Sequence, residues 1–244
     1  MSEKYKSYNK KSEYSYTFGV FPTIELLLKK PEAASNIFLS SEGKGNEGID
    51  KIIGICSTKG IYCSYNDKLI ARLSPKENCY ALGVFNKYAS KLQTNSSHIV
   101  IDNPGNAGNL GTIIRTMAGF GVESLGIIRP GVDVFDPKTV RASMGSIFHI
   151  SFQYFDSIEE YMSSYNNNIY PFMLKAKKTL HDIKNERAEK FCLVFGNESS
   201  GLPDRYNDIG ISLTIPHSSV IDSLNLSIAV GIALYEFTKP GYGK

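Results

Sequence analysis

Three glycines, Gly105, Gly108 and Gly111, stand three residues apart with Asn106 and Asn109 between them, and an apolar, helix-like run carrying Arg115 follows at once. Strand, glycine-rich turn, helix is the general layout of a phosphate-binding loop, because backbone N–H groups at a helix N-terminus attract anions. The dinucleotide fingerprint, however, is GxGxxG with an acidic residue at the end of the second strand, about 20 residues on. Here the spacing is GxxGxxG, and Glu123 precedes the next apolar run "SLGII" instead of following it. No Gly-Lys-Ser/Thr follows, so a P-loop fails as well. The asparagines offer another use for the loop: Asn tolerates left-handed backbone, and its amide can hold neighbouring segments together. Arg115 lies four residues after Gly111, on the turn that would face the loop mouth. The plain alternative for it is an arginine on a solvated helix face.

Two more loops follow apolar runs in the same way. "LVFGNESSGLP" ends an apolar run with Gly196, Asn197, Glu198 and Gly201. "LTIPHSSVIDSLNLSIAVGIALYEF" reads as a strand, a loop and a long apolar helix with Asp222 or Ser223 as its N-cap. Each could be an ordinary turn. Three Gly/Asn/Ser-rich loops at strand ends read together as one site.

The elements that must carry these loops follow from periodicity. From Phe18 to Phe85, "TIELLLKK", "IDKIIGICSTKG" and "DKLIARL" read as helices, and "NIFLS", "IYCSY" and "CYALGVF" as strands. Asn86 to Ser97 is polar and reads as a linker. Beyond it, "HIVID", "SLGII", "YPFML", "FCLVFG" and "ISLTIP" are strand candidates, and "LGTIIRTMAGFG", "PKTVRASMG", "SIEEYMSSY" and "SLNLSIAVGIALYEF" are helix candidates. That alternation predicts an α/β fold with a mostly parallel sheet covered on both faces. In such sheets a ligand lies beyond the carboxyl ends of the strands.

With 244 residues, 42% of them hydrophobic, the chain can form one large or two small domains. A net charge of +3 neither proves nor excludes a nucleic-acid partner, since a local patch matters more than the total. The four cysteines show no CxxC pairing, which speaks against a zinc site or a disulfide framework and fits a reduced, cytoplasmic setting. No apolar run approaches the roughly 20 residues of a membrane span. Residues 1–11 are basic with interleaved tyrosines: either a frayed tail or an arm that touches phosphate and stacks on bases.

The three loops together resemble the SpoU (TrmH-like) family of RNA 2′-O-ribose methyltransferases in the SPOUT superfamily. "NAGNLGTIIRT", "LVFGNESSGLP" and "IPHSSVIDSLNLSIAVGIALYE" carry the resemblance, in order and spacing, and "RASMGSIFH" is similar to the family's usual intervening segment. It implies a SPOUT domain over residues 97–244 with a deep trefoil knot, an exception to the rule that chains do not thread loops. Residues 12–90 resemble, more loosely, the ribosomal-protein-L30-like RNA-binding domain that many members carry.

The resemblance implies transfer of a methyl group from S-adenosylmethionine to a ribose 2′-hydroxyl, without a metal. It makes Arg115 the residue nearest the acceptor hydroxyl, and gives Asn109, Glu198, Ser223 and Asn225 supporting roles around it. It implies a cofactor pocket built from Phe195, Gly196, Asn197, Glu198, Gly201, Ile215, Pro216, Ser223 and Leu224. A guanidinium holds its proton to about pH 12, so two roles are open for Arg115. Either it is deprotonated in a desolvated setting, or it binds RNA phosphate and orients the hydroxyl while water takes the proton. The family's dimers imply a homodimer, with RNA sites drawing on both chains. Ribosomal RNA, 23S in particular, is the expected substrate and tRNA the runner-up. A non-catalytic RNA-binding protein and a nucleotide-dependent Rossmann enzyme remain as competing classes. His217 beside the cofactor, Ser143 and Ser146 against RNA, and Lys175 to Lys178 on phosphate are secondary expectations.

Overall fold

The computed structural model describes residues 5–75, 77–183 and 187–239. In chain order the elements begin with β1 (Tyr14–Phe18), α1 (Val20–Lys29), β2 (Ala34–Leu39), α2 (Glu47–Lys59), β3 (Tyr62–Tyr65), α3 (Asp67–Leu73) and β4 (Ala81–Asn86). There follow β5 (His98–Asp102), α4 (Ala107–Gly119), β6 (Ser124–Ile128), α5 (Pro137–Ala142), β7 (Ser151–Phe155) and α6 (Ile158–Ser164). The last are β8 (Asn168–Pro171), β9 (Lys178–Thr179), β10 (Phe191–Phe195), β11 (Leu213–Thr214) and α7 (Leu226–Thr238). Among the described residues no helix is long and apolar enough to cross a membrane.

The chain forms two units, Met1–Tyr88 with Asp133–His149, and Ala89–Val132 with Ile150–Lys244. The expected linear division, 12–90 and 97–244, differs from this packing over one segment: α5 and its flanks group with the first unit. The reason is local. Ser15 is fully buried in β1 and donates to the Phe135 carbonyl at 2.5 Å. Phe135 and Phe148 pack edge-on against Phe85 of β4, and His149 meets Glu25 of α1 at 2.5 Å.

The first unit's sheet has the order β1-β4-β2-β3, with β1 and β2 antiparallel to β4 and β3 parallel to β2. Asn46 caps α2 by accepting from the Gly48 N–H, and Gly60 ends it in the left-handed conformation that an unbranched backbone adopts freely. Strand β1, "YSYTF", escapes the sequence reading because its inward positions include Ser15 and Thr17. Thr17 Oγ1 accepts from the Gly83 N–H and pairs with Thr23, so the buried hydroxyls are satisfied.

The readings of residues 1–11 need correction for the part described, Tyr5 onward. Tyr5 is 6% exposed and sits in the core with Tyr16 and Phe38. Its hydroxyl donates to Asn36, its carbonyl accepts from Arg72, and the Tyr8 hydroxyl donates to Asp133. The tyrosines decide the matter: each has a large apolar body to bury and a hydroxyl that finds a partner. Met1 to Lys4 lie outside the described residues.

The second unit holds a five-stranded, all-parallel sheet in the order β7-β6-β5-β10-β8, with a short parallel pair β11-β9 beside it. Ile99, Val100 and Ile101 of β5 and every residue of β10 are buried, as central strands covered on both faces must be. Strand β7, "SFQYF", is absent from the sequence expectation. Its Gln153 breaks the apolar pattern, yet its side-chain oxygen accepts from the Tyr165 hydroxyl and lies 3.4 Å from the Leu92 nitrogen.

Candidate active site

The chain runs outward from β5 to β6 and β7 on one side, and β10 and β8 lie on the other. Neighbours β5 and β10 therefore flank the point where the strand order reverses, and the loops leaving their carboxyl ends form a crevice. Asn103, just past β5, takes a positive φ of 53° and its N–H donates to the Ile128 carbonyl. The turn that follows delivers Asn106 as the N-cap of α4, where its side chain accepts from the N–H groups of Gly108 and Asn109.

Glu198, from the loop after β10, closes this turn. Its carboxylate accepts from the Gly105 N–H at 3.0 Å, the Asn106 N–H at 3.1 Å and the Asn109 side-chain amide at 3.2 Å. Burial works to raise the carboxyl, but the N–H groups of Gly105 and of its own backbone, with those of Asn109 and Asn106, hold it below the usual carboxylate range. The donors that a phosphate loop would offer a ligand are thus taken by the protein's own anion.

The second loop is fixed by backbone contact. A Cβ on Gly196 would overlap the Gly201 carbonyl group and the Leu202 nitrogen, so only glycine fits there. Asn197 donates to the Asn103 carbonyl at 2.8 Å and accepts from the Ser199 N–H at 2.9 Å. Gly201, with φ 65°, donates back to the Asn197 carbonyl.

The third loop ends at Asn225, which is the N-cap of α7 in place of the expected Asp222 or Ser223. Its side chain accepts from the Ser227 N–H at 2.9 Å, and the helix begins at Leu226. Its amide also lies 3.5 Å from the Asn109 side-chain oxygen, a long contact. Glu198, Asn109 and Asn225 thereby form a row across the three loops.

A cleft opens beside this row. Of the expected cofactor residues, Phe195, Gly196, Asn197, Glu198, Gly201, Ile215, Ser223 and Leu224 line it, and Pro216 does not. Phe172, Leu174 and Ala229 line it too and are additions to the sequence reading. Phe172 stacks on Phe195 at 4.6 Å with an interplanar angle of 11°. The signal for it was present in "YPFML", but only the pairing of β8 with β10 shows that the run leads to the site. Glu198 and His217 are the ionisable side chains of the lining, which contains no Lys or Arg. A cleft with one carboxylate and without Lys or Arg is ill-suited to a pyrophosphate and suited to a ligand carrying positive charge.

Arg115 stands on the outer face of α4, exposed, while Leu110, Ile113, Ile114 and Met117 of that helix are buried. Among the described residues its side chain makes no hydrogen bond and no ion pair, and in particular none with Glu198. Helix α4 packs against α7, where Thr116 lies next to Gly231.

The sequence profile of the SpoU rRNA Methylase family matches residues 96–235. The chain belongs to this family. A relative described as an uncharacterized tRNA/rRNA methyltransferase of Synechocystis sp. is 32% identical over 142 residues, which cover 57% of this chain and 51% of the relative. The 23S rRNA (guanosine(2553)-2′-O)-methyltransferase RlmP of Bacillus subtilis is 29% identical over 148 residues, 59% of either chain. The chain thus spans little more than half the length of these relatives. The crystal structure of an AdoMet-bound rRNA methyltransferase from Sinorhizobium meliloti superposes with a TM-score of 0.78 at 23% identity, covering 95% of this chain and 89% of that one. That likeness shows the SpoU fold.

The secondary candidates fare differently within this SpoU chain. His217 lines the cleft and its ring nitrogen lies 2.8 Å from the Ile215 carbonyl. Ser143 is fully buried and donates to the Val140 carbonyl, so it packs and does not reach RNA. Lys177 is tied to Asp208 at 3.5 Å on an exposed face.

Proposed function

We propose that this protein transfers a methyl group from S-adenosylmethionine to a ribose 2′-hydroxyl of RNA, with 23S ribosomal RNA as the substrate. The observation that carries the reading is the Glu198–Asn109 clasp beside a cleft lined by no Lys or Arg, with Arg115 on the adjoining helix unpaired among the described residues. The cleft suits the cofactor's parts. Phe172, Phe195 and Leu224 offer apolar walls to a purine, and the backbone around Gly196 and Ile215 can read its edges. No Lys or Arg of the lining opposes a sulfonium. When bound, S-adenosylmethionine supplies an electrophilic methyl group with a good leaving group.

What the chain supplies is position. Glu198 holds the first loop so that α4 starts at a fixed place, and Asn109 links that loop to the cap of α7. Holding reactants in line accounts for several kcal/mol of barrier lowering, of order 7–11 when alignment is complete. Arg115 binds the phosphate flanking the target nucleotide and orients the hydroxyl, and water takes the proton. Its exposure and lack of a carboxylate partner favour this role over deprotonation in a desolvated pocket.

The protein acts as a homodimer. The support is an apolar stripe on α7, where Ile228 is 55% exposed, Ile232 38% and Tyr235 53%. Val220 and Ile221, in the loop before the helix, are exposed as well. The preference for ribosomal over transfer RNA rests on the first unit and on the rRNA substrate in the name of the relative RlmP.

The test is methyl transfer from labelled S-adenosylmethionine to ribosomal RNA and to tRNA, in separate reactions, with Arg115→Ala beside the wild type. Label recovered as a 2′-O-methyl nucleoside from ribosomal RNA, and lost in the variant, is the expected result. Label confined to tRNA would change the substrate. Neither label nor cofactor binding would leave an RNA-binding protein with this fold.

A further inference from the structure

The first unit contains a second cavity, of about 250 Å³, between the N-terminal arm, β1, the end of α3 and α5. Its walls are aromatic and apolar: Tyr8, Tyr16, Phe18, Leu73 and Pro75. Its polar lining is Ser7, with Asp136 at the cap of α5 and Lys138 and Arg141 on that helix. Asp136 is already engaged, its Oδ1 accepting from the Lys138 N–H at 2.8 Å as the cap of the helix. Arg141 is not. It is half-buried, yet among the described residues its guanidinium has neither a hydrogen bond nor an ion pair. A guanidinium withdrawn from water is costly unless something pairs with it. Lys138, three residues before it on the helix, is exposed, and among the described residues its ammonium likewise has no hydrogen bond or ion pair.

A ligand for this cavity must have a flat apolar part to lie among rings and a compact anion to meet an arginine and a lysine. We infer that the cavity binds a nucleotide, its base among Tyr8, Phe18 and Pro75 and its phosphate on Arg141 and Lys138. Arg pairs with phosphate through two parallel N–H donors, and bases stack on aromatic side chains whatever their sequence. Two cations against one engaged carboxylate leave the rim positive, the reverse of the methyl-donor cleft. The source of the nucleotide is either an unstacked residue of the substrate RNA or a free mononucleotide. The RNA source rests on the function proposed above, and the binding itself does not.

The experiment has two arms. In the first, adenosine 5′-monophosphate, adenosine and inorganic phosphate are titrated separately into the full chain and followed by NMR, including the Arg141 side-chain resonance. The monophosphate is expected to bind at least about fivefold tighter than either part, and Arg141→Gln to weaken it about tenfold while Arg141→Lys keeps part of the affinity. In the second, methyl transfer to ribosomal RNA by Arg141→Gln is expected to show KM raised about tenfold with kcat and cofactor affinity unchanged. Altered mononucleotide binding with an unmoved KM assigns the cavity to a free nucleotide. If the wild type methylates no RNA, the first arm still decides the cavity. The inference is overturned if the monophosphate binds Arg141→Gln as tightly as wild type, or fails to perturb the cavity while KM stays put.

Discussion

The Asn109 side-chain amide donates to the Glu198 carboxylate at 3.2 Å, so the first turn of α4 and the loop after β10 share one anion. The same carboxylate takes the N–H groups of Gly105 and Asn106. One residue therefore holds together the ends of the two neighbouring central strands.

Replacing that charge is expected to loosen the loop. Glu198→Gln keeps the shape but loses charge-assisted hydrogen bonds, and with Glu198 half-exposed the cost is about 1 kcal/mol. The sign with pH follows from the lowered carboxyl. Its stabilisation is present above the unfolded value near pH 4.3 and lost as pH falls through the folded one. Denaturant unfolding of both proteins from pH 7 downward should show a gap at neutral pH that closes in acid. A constant gap would sink the account.

Arg115→Ala should leave thermal stability within about 0.5 kcal/mol of wild type, because the side chain has no partner among the described residues. Methyl transfer in single-turnover reactions should fall about 10²–10³-fold, the size of one lost transition-state contact. Arg115→Lys should recover a part only, since a lysine cannot offer the planar fork. Substantial activity in the alanine variant would remove Arg115 from the mechanism.

Gly196→Ala is expected to be severe. The new methyl group would meet the backbone at Gly201 and Leu202, which cannot swing aside as a flexible side chain would. A stability loss of about 2–3 kcal/mol with loss of cofactor binding is expected, whereas alanine at Gly54, where nothing lies near, should be well tolerated. Calorimetry on the two variants makes the comparison.

Tyr206 is fully buried and its hydroxyl donates to Asp102 at 2.6 Å, joining the end of β5 to the segment beyond the second loop. Tyr206→Phe leaves the acid short of a partner and should cost about 1–3 kcal/mol in urea unfolding. An unchanged midpoint would show that water replaces the hydroxyl.

The exposed stripe on α7 gives the proposed dimer a direct test. Ile232→Lys puts a charge between Ile228 and Tyr235 and should convert the protein to a monomer in light scattering at micromolar concentration. If the wild type is already monomeric, the stripe serves another purpose.

Much of this was legible from residue types. The runs "HIVID" and "FCLVF" are continuously apolar because both strands are covered on both faces, and continuous runs are easy to read. The loops were visible because glycine and asparagine do work there that other residues cannot, as at Gly196 and Asn106. What stayed hidden depends on partners far along the chain. Ser15 and Thr17 mask β1 because their hydroxyls are satisfied by Phe135 and by Thr23 and Gly83. The cap of α7 falls on Asn225 although Asp222 and Ser223 are equally good capping types, since chain geometry chooses among them. Arg141 shares a cavity with Tyr8, a residue 133 positions earlier, and no local pattern reveals that.

The grouping of Asp133–His149 with the first unit has a consequence for synthesis. A ribosome adds about 5–20 residues per second. When Tyr88 emerges, the first unit still lacks the Phe135 carbonyl for Ser15, the Asp133 carboxylate for Lys87 and Tyr8, and the aromatic cover of Phe85. Its completion waits until β5, α4 and β6 have been made and the chain has passed His149. During that interval the nascent chain carries an unfinished core together with two of the five strands of the parallel sheet, whose apolar faces are still uncovered.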